Sequence, residues 1–209
     1  MALVATAAFG WLLGIPSARL VRALGAGSAV TVPSRWALLA PDPALQGLQS
    51  ALFAVLAWHF GPTPGGLVYA ALSVVLTLVL FIDLRTRFVY GFVAYPGIVA
   101  GILLTPLVAG GPWWGGLASA LIGGAIFGAL YLLGRLLYRG GEPLATGDIT
   151  IGALVGSVVG LGHLGPAIVY GVLLSGFFAL FYAARTRSLS SFLPYGPGLC
   201  LGALLALVR

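Results

Sequence analysis

The chain has 209 residues, of which 60% are hydrophobic and only 7% charged, and its mean hydropathy is +1.11. A soluble domain carries about 25% charged residues, so this composition cannot cover a water-soluble globule. It excludes an ordinary soluble enzyme, a disordered chain and a DNA-binding module, and predicts an integral membrane protein. The net charge is +6 and every basic residue is an arginine. In a membrane chain such an excess marks cytoplasmic loops, not a nucleic-acid partner. Cys200 is the lone cysteine, which excludes an internal disulfide and a cysteine-based zinc cluster. Glycine, at 32 residues, suits membrane helices that approach closely.

Apolar runs long enough to cross a bilayer, about 20 residues each, recur along the sequence. The first covers residues 3–24. No basic segment precedes it and arginines follow it, so it reads as a retained span and not as a signal peptide. Residues 25–49 contain Pro33, Pro41 and Pro43 and read as a loop. A short second span, 50–60, begins near residue 45 and stops at the Gly61-Pro62-Thr63-Pro64-Gly65-Gly66 turn. The third span is 67–82 and the fourth 92–108. The fifth is 113–138, with Trp113 and Trp114 as interfacial anchors. A short, glycine-rich sixth covers 149–161, a seventh 165–184 and an eighth 193–208. The expected fold is therefore all-α: a polytopic membrane bundle of about eight helices in a single domain, 1–209. Residues 1–44 supply the first span and a short cysteine-free loop, and residues 45–209 form the core.

The arginines alternate with these spans. Arg19, Arg22 and Arg35 follow the first, Arg85 and Arg87 the third, Arg135 and Arg139 the fifth, and Arg185 and Arg187 the seventh. Only the terminal Arg209 falls on the other side. The positive-inside rule makes the arginine side cytoplasmic and turns both termini outward.

This topology puts Asp83, at the end of span three, and Asp148, at the start of span six, at one membrane face. Carboxylates in or at the apolar zone are functional candidates. The plainer alternative is that each caps a helix or pairs with an arginine, with Asp148 well placed as a helix N-cap. Asp42 and Glu142 lie in polar loops beside proline and read as solvated. Two aspartates held close share one proton: one activates a water while the other polarises a carbonyl, which hydrolyses a peptide bond. His59 and His163 fall on the outer side and Cys200 lies in the last span, so neither a Cys–His pair nor a metal site is expected. Gly147, with no Cβ, would let a substrate strand approach Asp148.

Three segments carry a family resemblance. The first is Ile82-Asp83-Leu84-Arg85-Thr86-Arg87, followed by Tyr95-Pro96-Gly97. The second is Ala145-Thr146-Gly147-Asp148, with a Gly/Ala-rich helix behind it. The third is Leu193-Pro194-Tyr195-Gly196-Pro197, opening the last span. Taken in order, they resemble the prepilin peptidases, or type IV leader peptidases, within the GxGD membrane aspartyl proteases. The chain departs from that pattern at Phe88-Val89-Tyr90-Gly91, where the family has Ile-Pro-Asn or Ile-Pro-Asp. It departs again at Ala145, which replaces the first glycine of GxGD, and at Thr150, which replaces a common lysine. The two Cys-x-x-Cys pairs of bifunctional members are missing from the first loop.

The resemblance implies catalytic roles for Asp83 and Asp148, and a site shaped by Gly147, Pro194, Gly196 and Pro197, with no cofactor. It implies removal of a short basic leader from type IV prepilin-like substrates at the cytoplasmic face of a prokaryotic inner membrane, without N-methylation. The alternatives are an inactive pilus or secretion assembly protein that keeps the fold, and a proton-coupled transporter. An apolar substrate helix would enter between glycine-bearing helices. Gly123, Gly124, Gly128, Gly152, Gly156 and Gly160 are the candidates, against plain helix packing as the simpler use. A basic leader is repelled by arginine, so Arg85, Arg87 and Arg139 are expected to point to lipid phosphates.

Overall fold

In a computed structural model of the protein the described residues are 2–26, 42–61, 63–86, 88–109, 111–137, 145–186 and 195–208. Among them are seven helices and no strand: α1 (Ala2–Ala26), α2 (Pro43–Phe60), α3 (Pro64–Thr86), α4 (Gly91–Ala109), α5 (Gly115–Leu137), α6 (Thr146–Thr186) and α7 (Tyr195–Val208). Within α1, α3, α4, α5 and α6 lie five stretches long and apolar enough to cross a bilayer. The protein is an all-helical chain with the helices of a multi-pass membrane protein.

Two elements differ from their expected extents. The second helix starts at Pro43, because Asp42 accepts the Leu45 N–H through Oδ1 at 3.4 Å and Pro43 presets the first turn. It is not among the five, since Gln46, Gln49, Ser50 and His59 dilute its apolar character. Expected spans six and seven fall within one helical assignment, α6, broken at Gly160 with φ 70° and ψ 175°. In a straight helix Ile151 and Ser175 would stand about 36 Å apart. Both instead reach the first turn of α7. Ile151 Cδ1 lies beside Gly196, and Ser175 donates a 3.0 Å hydrogen bond to the Tyr195 carbonyl. The chain therefore folds back at Gly160, where a left-handed φ costs glycine little.

Close packing holds the bundle together. A Cβ on Gly123 or Gly156 would fall on the carbonyl of Gly152 or Ser119, so α5 and the first half of α6 touch backbone to backbone. Gly171 and Gly202 bring α7 equally close to the second half of α6. Such contact supplies van der Waals attraction where lipid offers no hydrophobic drive between helices. It also settles the use of three candidate glycines: Gly123, Gly152 and Gly156 serve packing, whereas Gly128 faces open space. Gly10 and Gly14 bring α1 against Gln49, Phe53 and Gln46 of α2. Of the five long apolar stretches, that of α3 is the most enclosed, with 56% of its apolar window buried against 22–28% for the other four.

The contacts also sort the helix ends. Val21 packs on Leu45 and Ile82, Tyr90 donates to the Leu24 carbonyl at 3.5 Å, and Phe127 lies against Gly152. One end of the bundle therefore gathers the C-termini of α1, α3 and α5 and the N-termini of α2, α4, α6 and α7. Arg19, Arg22, Arg85 and Arg135 are at this end. Exposed Trp58 and Trp113 mark the other end, as aromatic residues do at membrane interfaces.

Candidate functional site: buried carboxylates on two helices

Asp83 and Asp148 are both at the arginine-bearing end, and both are buried, at 6% and 8% exposure. Asp83 sits in the last turn of α3, one residue beyond the fully packed Ile82. Its carboxylate lies directly over Gly196. A Cβ there would fall on Asp83 Oδ2 and come within 2.5 Å of Ile151 Cδ1. Ile151 is one helical turn after Asp148. Gly196 is thus the point where the Asp83 helix, the Asp148 helix and the start of α7 converge.

Asp148 is anchored differently. The residue before α6 is Ala145, and Asp148 reaches back so that its Oδ2 accepts the Ala145 N–H at 3.0 Å. The Asp148 N–H returns a 3.0 Å bond to the Ala145 carbonyl. This is a capping-box geometry with the carboxylate at the third helical position, not the N-cap position the sequence suggested. It occupies one carboxylate oxygen and leaves the other outside the cap.

Residues 88–90, ahead of α4, reach the start of α6. Val89 covers Gly147, and a Cβ on Gly147 would come within 2.9 Å of Val89 Cγ2. The approach expected to be open to a substrate strand is therefore occupied by a side chain of the same chain. Pro197 is buried in the first turn of α7, where its missing N–H breaks no helical bond. Pro194, Arg87, Arg139 and Glu142 lie outside the described residues. His59 and His163 are exposed, and His59 packs edge-on against Phe60.

Two expectations are corrected. Asp42 is not solvated: it is 7% exposed and ion-paired with Arg85. Arg85, expected to point to lipid phosphate, turns its guanidinium to Asp42. The pair was missed because its members stand forty-three positions apart. One half was legible, since Asp-Pro ahead of an apolar run is a helix-start signal.

No family model, no curated protein and no solved structure matches the chain. The functional reading therefore rests on the site itself and on the motifs that surround it.

Proposed function

We propose that this chain is a membrane aspartyl endopeptidase of the prepilin-peptidase type. The observation that carries the reading is the burial of two carboxylates on separate helices at the arginine-bearing end of an apolar bundle, with Asp83 over Gly196 and Ile151, one turn after Asp148, against the same glycine. By the positive-inside rule that end faces the cytoplasm, with eight spans and both termini outside. The membrane is the inner membrane of a prokaryotic cell. The substrates are type IV prepilin-like proteins, whose basic leader joins an apolar helix at the depth of Asp83 and Asp148.

In this mechanism one aspartate holds the shared proton and donates a hydrogen bond to the scissile carbonyl. The other accepts a proton from water as the water attacks. Proton return to the leaving amine then frees the leader without a covalent intermediate. No cofactor is required.

The test is co-expression with candidate prepilins from the same genome, with mass spectrometry of the product. Wild type removes the leader, whereas Asp83→Asn and Asp148→Asn each lower the rate by about 10³-fold or more. The mass of the new N-terminus reports methylation, which is expected to be absent. Stable insertion without cleavage of any candidate would reject the peptidase reading in favour of an assembly protein that keeps the fold.

A further inference from the structure

Asp83 occupies a weak position for a residue that must be held still. It lies in the last turn of α3, and helix ends fray unless something fixes them. Beyond Thr86 the chain at 88–90 is not helical. Two local bonds close the end: Thr86 Oγ1 donates to the Ile82 carbonyl at 2.9 Å and accepts the Phe88 N–H at 3.3 Å. Neither ties the turn to the rest of the bundle.

Arg85 supplies that tie. It is two residues after Asp83, about 200° further around the helix, so the two side chains leave α3 on opposite sides. Arg85 pairs with Oδ2 of Asp42. Oδ1 of the same carboxylate accepts the Leu45 N–H at 3.4 Å and so starts α2. The Leu45 side chain is fully buried and packs with Ile82, the residue before Asp83, and with Val21 of α1. One carboxylate therefore joins the start of α2 to the end of α3 over an apolar contact between the same two turns. Asp42 is 7% exposed and Arg85 40%. The carboxylate is thus largely withdrawn from water, and charge-assisted bonds of this kind are directional.

We propose that Arg85 and Asp42 are positioning residues for Asp83. Their ion pair pins the outer side of the last turn of α3 to α2, so that the inner side presents the carboxylate over Gly196. This rests on the peptidase reading for its kinetic consequence, but not for its structural one.

The test uses the full chain in lipid nanodiscs with a prepilin-type peptide spanning the leader junction. Asp42→Asn keeps a cap acceptor for Leu45 and removes the charge, so it isolates the pair from the cap. Arg85→Gln removes the other partner. Each single variant is expected to lower kcat by about ten-fold with KM within about two-fold, and the double variant to lose no more than Arg85→Gln alone. Arg85→Lys is expected to recover most of the rate, and Arg135→Ala, an exposed arginine at the same end, to match wild type. Amide hydrogen exchange at residues 82–86 and 44–46 is followed in parallel and is expected to quicken by about ten-fold in both single variants.

A rise in KM for Arg85→Gln alone would assign Arg85 to substrate or lipid and overturn the proposal. So would losses that multiply in the double variant, or exchange that does not change in either single variant. If wild type cleaves no prepilin, the peptidase reading fails separately and the exchange data still decide whether the pair holds the turn.

Discussion

The two helix ends that carry the aspartates are built on opposite plans. The start of α6 secures Asp148 with a bond to Ala145, three positions away. The end of α3 secures Asp83 with residues from α2 and α7: Asp42 through Arg85 on one side, and Gly196 on the other. A helix N-terminus has free N–H groups that a nearby carboxylate can satisfy. A C-terminal turn offers only carbonyls, which repel a carboxylate. An acid in a last turn must therefore be fixed by other elements, and the Asp83 turn should be the more sensitive of the two to distant changes.

The sharpest way to break this comparison is Gly196→Ala. The added methyl falls on Asp83 Oδ2 and within 2.5 Å of Ile151 Cδ1. The bundle should still insert, because a side-chain tip can move, but the carboxylate leaves its place. Cleavage is expected to drop by about 100-fold, the scale of a small misplacement of a reacting group. Near-wild-type kinetics for a well-folded Gly196→Ala protein would show that Asp83 does not act from this position.

The matching change at the other end is Ala145→Pro, which deletes the N–H bonded to Asp148 while leaving the carboxylate intact. One neutral-to-charged bond is lost, so kcat should fall by about twelve-fold, or about 1.5 kcal/mol. A loss as large as that of Gly196→Ala in the same assay would make the two ends equally dependent on their anchors.

Gly147→Ala comes next. Its methyl meets the far end of Val89, 2.9 Å from Cγ2, and Val89 lies outside the helices and can rotate aside. A decrease of about two-fold in kcat/KM is expected. Gly128→Ala is the smallest change. Nothing stands within 4 Å of the added methyl, so activity should hold while thermal stability rises by about 0.5–1 kcal/mol from improved helix propensity.

How much of this was legible in the sequence follows the same division. The Ala145–Asp148 turn could be read as a helix start because its partners are adjacent. The exact role of Asp148 in it could not, since a carboxylate three residues along can serve the cap as well as one at the cap itself. Asp42 was read as solvated from its proline-rich surroundings, and its burial depends on where α3 ends in space. Gly147 was read as an open approach, yet Val89 covers it, because the direction of the segment after α3 is set by the packing of α4. Gly123, Gly152 and Gly156 stood out as small residues, but only the pairing of α5 with α6 shows that they are in backbone contact.

By itself the sequence determined the class of the protein and the order of its helices. Apolar runs, turn residues and arginine alternation are local quantities, and a bilayer imposes the same requirement on each segment separately: every backbone polar group must be satisfied within it. The tertiary structure alone decided that the chain folds back at Gly160, that Gly196 stands between the two carboxylate-bearing helices, and that Arg85 is joined to Asp42. Those outcomes depend on which helix packs beside which, and that is fixed by the close fit of side chains and glycines across distant segments, a property no single stretch of sequence contains.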